Sequence, residues 1–193
     1  MQMALLRPRI VLGLIALVAA LFSLFGALTA VAGEAEDKAA LDKLFALLKD
    51  APDPETAHVI DQRIWVYWMV PSDPVLAKRM QDVLAQSEIG NLPGAISLLD
   101  KMVVDYPTYA EGWNRRATFY YMLGDFEHSL ADIDKVLQYE PRHFGALSGR
   151  VMIYLQQGKR ALALRDMATA LAIHPFISGR ELFPELKRDM TRI

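Results

Sequence analysis

The sequence predicts an all-α fold, an α-solenoid of stacked helical hairpins, and three observations carry that prediction. Gly90, Gly124 and Gly158 recur every 34 residues, and Pro107, Pro141 and Pro175 recur at the same interval. Small and apolar columns run in the same register: Ala95, Ser129 and Ala163; Leu99, Ile133 and Met167; Met102, Val136 and Ala170. Between these marks the spacing is helical. Trp113, Ala117 and Tyr120 fall at i, i+4, i+7, as do Leu147, Val151 and Tyr154.

The elements follow in order. Residues 1–32 open on Arg7 and Arg9 with no acid, continue as an apolar run from Ile10 to about Leu28, and close on small residues at Ala30 and Ala32. That is the pattern of an export signal with cleavage after Ala32. The run also approaches the roughly 20 residues that cross a bilayer, so an uncleaved inner-membrane anchor over residues 10–32 is the alternative. Both readings leave the N-terminus in the cytoplasm and place the rest of the chain in the periplasm.

Residues 33–73 read as an N-terminal helical hairpin. Leu41, Leu44, Phe45 and Leu48 form one apolar face, and Ala-Pro-Asp-Pro at 51–54 breaks the chain before Trp65 and Trp68. Pro-Ser-Asp-Pro at 71–74 is a second break, with Pro74 suited to the first turn of the next helix. A stack of hairpins exposes apolar faces at both ends and needs caps. The hairpin is expected to cap one end with its tryptophans packed on the first repeat; an exposed aromatic platform is the functional alternative. In residues 178–193, Leu182, Leu186 and Met190 stand at i, i+4, i+8, as on a short C-terminal capping helix.

Three repeats fill residues 74–177, at about 76–109, 110–143 and 144–177. Each glycine ends a first helix, because glycine tolerates left-handed backbone angles, and each proline stops a second one for want of an N–H. The middle copy carries Trp113, Tyr120, Ser129, Ile133 and Pro141 in a 34-residue frame, which resembles the tetratricopeptide (TPR) repeat. Arg116 and Ala117 depart from the Leu-Gly pair of that motif, and Arg150 repeats the departure. The first copy has Arg79 and Gln86 in place of the Trp and Tyr. With runs such as Ala-Glu-Gly-Trp-Asn-Arg-Arg-Ala, the chain is similar to small exported TPR proteins of Gram-negative bacteria. The resemblance implies a right-handed solenoid that acts as an extracytoplasmic interaction protein.

Composition excludes other classes. With no Cys there are no disulfides, no thiolate catalysis and no Cys-ligated metal. A net charge of -2 offers no basic field for nucleic acid. Neither HExxH nor GxSxG occurs, and His58, His128, His143 and His174 lack paired metal-ligand spacing. His128 and Asp132, i and i+4 on one helix, lack a third ligand in the sequence. Gly158-Lys159 belongs to a repeat turn rather than to a phosphate loop. The expectation is a non-enzyme without cofactor, metal or small-molecule substrate, whose partner is a protein or peptide.

In TPR arrays the first helix of each repeat lines a concave groove through positions 2, 5, 9 and 12. Carried onto this chain, the resemblance assigns Glu111, Asn114, Thr118 and Tyr121 in the middle repeat, with Arg115 beside them. The flanking repeats add Met80 and Leu84 on one side and Ser148, Met152 and Leu155 on the other. This mostly apolar, neutral lining suits a polypeptide segment with apolar side chains. The carboxylate clamp of chaperone-binding TPR domains is missing, since Met80, Leu84, Gly145 and Gly149 occupy its positions. Arg116 and Arg150, 34 apart, either form a basic ladder for a ligand or pair with Asp132, Asp134 or Asp166. The functional expectation is a periplasmic scaffold or adaptor, by analogy in envelope proteolysis or cytochrome c maturation; the alternative is a structural subunit of an inner-membrane complex.

Overall fold

The computed structural model describes residues 33–187, and all its regular elements are helical. The proposed leader, residues 1–32, and Met190 lie outside the described residues. The eight α-helices are α1 (33–49), α2 (Pro54–Met69), α3 (Pro74–Glu88), α4 (Leu92–Asp105), α5 (Ala110–Met122), α6 (Phe126–Tyr139), α7 (Phe144–Gln156) and α8 (Arg160–Ile173). Among the described residues no helix is long and apolar enough to cross a membrane.

The pairs α3/α4, α5/α6 and α7/α8 are antiparallel hairpins built on one device. Gly90, Gly124 and Gly158 adopt φ of 75°, 77° and 68°. At each, the next residue's N–H returns to a carbonyl five positions back: Asn91 to Gln86, Asp125 to Tyr120 and Lys159 to Tyr154. This satisfies carbonyls that a helix end leaves without partners and turns the chain sharply. Asn91 and Asp125 then cap the following helices, accepting from Gly94 N–H and His128 N–H. Ala95, Ser129 and Ala163 are fully buried between the helices of each pair, where the Ser129 hydroxyl donates to the Ala117 carbonyl at 2.8 Å.

Neighbouring hairpins share cores. Phe119 of α5 enters the core of Leu76, Met80, Val83 and Leu99, and Ala146 and Ile153 of α7 enter that of Ile133 and Val136. A polar ladder reinforces the stack. Arg116 holds Asp132 of its own hairpin through two bonds of 2.8 Å and reaches Asp100 of the preceding hairpin at 2.8 Å. Arg150, one repeat on, holds Asp166 at 2.6 and 3.2 Å and Asp134 at 2.7 Å. Both arginines are committed inside the stack, so they form no free basic ladder.

Two expectations about the ends are corrected. The α1/α2 hairpin does not stack on the first repeat as a cap. Its apolar residues Phe45, Leu48, Ile64 and Trp68 join a core with Phe144, Leu147 and Met167 of the third repeat. The tryptophans meet His143 and Phe144 rather than the first repeat, so they do not make an exposed platform either. Helix α2 thus runs from the end of α8, where Asp61 lies 4.0 Å from His174, to the start of α5, where Tyr109 donates to the Trp68 carbonyl.

At the C-terminal end, two 3₁₀ turns, Arg180–Leu182 and Pro184–Lys187, replace the expected capping helix. Pro184 lacks an N–H and disfavours a helical backbone at Phe183, which adopts φ -126° and ψ 67°, and this breaks the i, i+4 register of Leu182 and Leu186. Phe183 is the fully buried residue, whereas Leu182 is exposed. Burying one such ring contributes about 2–3 kcal/mol.

Candidate functional site

The first helices of consecutive repeats, α5 and α7, stand side by side with a groove between them. Thr118, Tyr121, Ser148 and Met152 line it, with Ala117 and Ile133 as its apolar floor, and it encloses about 220 Å³. Met152 is 43% exposed, so its side chain stands in solvent and is available for contact. At the groove's end Gln156 donates to the Tyr121 hydroxyl at 2.6 Å, fixing that ring across the two helices.

Two glycines on α7 show how far the groove is open. A methyl group at Gly145 meets the Trp65 ring at 2.7 Å, whereas one at Gly149, a turn later, finds only Ile133 at 3.8 Å. Helix α2 therefore occupies the surface of the repeats' first helices, the A helices, as far as Gly145, and beyond it no other described residue covers that surface. This division explains which of the ten expected groove residues come together. Thr118, Tyr121, Ser148 and Met152 do; Leu155 is partly buried against the core that the hairpin shares with the third repeat, and Leu84, half-buried on α3, does not line the groove.

Met80, Glu111 and Asn114 are corrected as free contacts. Met80 is fully buried in the first core because Phe119 of α5 covers it. Glu111 is fully buried at the centre of a polar cluster: it accepts from Arg115 Nε at 2.7 Å, Asn114 Nδ2 at 2.9 Å and His143 Nε2 at 3.0 Å. Asn114 borders the groove but is buried and spends its amide on Glu111. Arg115 turns the other way, with Nη2 at 2.8 Å from the Met69 sulfur. His143 Nδ1 accepts from Ala146 N–H as the cap of α7, so its proton resides on Nε2 and is donated to Glu111.

A larger cavity, about 650 Å³, lies between α1 and the turns that join successive repeats. Tyr67, Trp68, Tyr106, Tyr109 and Tyr139 contribute its aromatic wall. Motif reasoning missed it because these rings come from three unrelated stretches. The available signal was the presence of tyrosines in inter-repeat turns, positions that ordinarily carry small polar residues. Burial, and then the charges of Glu111 and Asp37, push the Tyr109 phenol well above its usual range, so it is a permanent donor to the Trp68 carbonyl.

The possible His128–Asp132 metal pair is drawn apart by other partners. His128 Nδ1 sits 2.7 Å from Asp125, and Asp132 serves Arg116. Among the described residues no cluster of three potential ligands exists.

A TPR repeat-containing protein of Rhizobium etli is 38% identical to this chain over 138 residues, covering 72% of the chain and 68% of the relative. The chain belongs to the tetratricopeptide-repeat family. No family model matches it. Arg116 and Arg150, where the TPR motif has leucine, and the hairpin laid over the A helices set this TPR protein apart from the plain repeat pattern.

Proposed function

We propose that this TPR protein is a non-enzymatic periplasmic scaffold or adaptor, which takes an extended polypeptide segment into the groove between α5 and α7. The observation that carries the reading is the unfilled space beside Gly149, bordered by the exposed Met152 and by Tyr121. The space admits one or two apolar side chains, and α2 leaves no room for a whole helix of about 10–12 Å diameter. An extended segment projects alternate side chains to one face and presents such groups singly. Methionine adapts to their shapes, and their release from water supplies the affinity. Arg7 and Arg9 ahead of the apolar run support export.

The test places a photo-crosslinking residue at Thr118 or at Val104, an exposed position on α4, in the full-length chain expressed in a Gram-negative host. A polypeptide captured from position 118 and absent from position 104 supports the groove; equal capture from both sinks it. Fractionation of the same cells reports the compartment.

A further inference from the structure

The cavity beneath α1 is a built site. Its volume of about 650 Å³ falls within the roughly 300–1,000 Å³ of ligand pockets. Helix α1 is fastened over it at two points. Asp37 accepts from the Ser72 N–H at 2.8 Å and the Ser72 hydroxyl at 2.6 Å, and Asp42 accepts from Arg142 at 2.7 Å. The opening is thereby held ready without a partner.

Its walls have a chemical direction. At the Arg142 end the charges cancel, because Arg142 and Lys38 together face Glu140 and Asp42. At the other end Asp37 accepts hydrogen bonds only from the neutral donors of Ser72, and Asp73 only from the N–H groups of Val75 and Leu76; Arg79, whose charge Asp73 feels, is itself paired with Asp105. The bond from Ser72 brings these two carboxylates together, and Glu34 lies one turn before Asp37, on the same wall and without an ion pair among the described residues. The body of the cavity between the two ends is aromatic. The hydroxyls of Tyr67, Tyr106 and Tyr139 donate to no group among the described residues, which leaves them open to a ligand.

We infer that this cavity binds an organic cation: an ammonium or guanidinium group seated at Glu34, Asp37 and Asp73, with its apolar stem along Tyr67, Trp68 and Leu41. Ring faces attract such cations more strongly once they are desolvated, and the carboxylates supply the opposite charge. A small anion lacks a free cationic partner here, since Lys38 is held by Asp42 and Arg142 is doubly engaged. The same chemistry belongs to a free polyamine and to a lysine side chain of a bound polypeptide.

Titrating the full-length protein in mild detergent by calorimetry, with Trp fluorescence as a second readout, separates these sources. The probes are spermidine and the end-blocked peptide Gly-Lys-Leu-Lys-Gly, with Gly-Glu-Leu-Glu-Gly as the anionic control. Binding of spermidine alone assigns a free amine, and binding of the lysine peptide alone or more tightly assigns a side chain. Glu34→Gln with Tyr67→Ala is expected to weaken either by about tenfold, Thr108→Trp to block it by filling the mouth, and Met152→Ala in the groove to leave it unchanged. No binding of either cationic probe overturns the assignment. So does equal binding of the anionic peptide, or full binding by both cavity variants with their helicity intact.

Discussion

The imidazole of His143 lies flat on the indole of Trp68, with ring centroids 3.9 Å apart and planes 7° from parallel. The same imidazole caps α7 through Nδ1 and donates to the buried Glu111 through Nε2. One side chain thus joins the hairpin, the third repeat and the second. The stack is what turns α2 across the A helices instead of onto the end of the solenoid, and it leaves the α5–α7 groove as the open remainder.

Removing His143 tests that role. His143→Ala deprives α7 of its cap and the fully buried Glu111 of one of three donors, and an unpaired buried acceptor costs about 1–3 kcal/mol. The expected loss in urea unfolding is about 3 kcal/mol. His143→Phe keeps the stack on Trp68 but not the hydrogen bonds, so it should lose nearly as much. Full stability in His143→Phe would assign the role to stacking alone.

The arginine ladder is a second target. Arg116→Leu restores the residue usual in the TPR motif, yet it leaves Asp132 buried without its bidentate partner. Breaking such a pair from one side costs about 3 kcal/mol, whereas replacing both partners with apolar groups is often close to neutral. Arg116→Leu should therefore unfold at markedly lower urea, and Arg116→Leu with Asp132→Leu should recover most of the difference. A single variant as stable as the native chain would show that the pair contributes nothing.

The hairpin turns and the repeat register were readable because each rests on a local rule. Positive φ demands Gly124, close helix crossing demands Ser129, and these recur at a fixed interval. Even the ladder was legible in outline, since Arg116 and Arg150 stand 16 residues from Asp100, Asp132, Asp134 and Asp166. The docking of α2 was not. Periodicity shows which face of a helix is apolar but not which surface covers it, and nothing local to Trp68 names His143, 75 positions away. Glu111 misled for a related reason. Its family position faces the groove in an open array, but here the hairpin covers it and His143 and Arg115 claim its carboxylate.

A pH signature is expected at Asp61. Burial raises its pKa, against the opposing pull of His58 and Trp65 on its own helix, and one of its oxygens is buried with no hydrogen bond. From α8's end it faces His174, which burial and then the charge of Arg180 keep below the usual histidine range. Because the folded protein holds the Asp61 proton more tightly than the unfolded chain, ionisation costs stability above the raised pKa, and that cost fades as the pH falls through it. Asp61→Asn should therefore stabilise by about 1 kcal/mol at neutral pH, with the gain shrinking toward the ordinary carboxylate range. A gain constant across pH would show that charge is not its source.

Gly145 and Gly149 separate the filled and open parts of the groove in one experiment. Both lie inside α7, where exchanging glycine for alanine gains about 0.5–1 kcal/mol if the methyl group has room. At Gly149 it has, so Gly149→Ala should raise stability while narrowing the space beside Met152 and weakening any segment bound there. At Gly145 the methyl group collides with the Trp65 ring, and overpacking of this kind costs about 1–3 kcal/mol. Gly145→Ala with Trp65→Ala should relieve the collision and extend the groove toward α2. If Gly149→Ala is stabilised and captures its polypeptide undiminished from a crosslinker at Thr118, the segment lies elsewhere on the A-helix face. If it loses that capture, the space beside Gly149 is where the segment sits.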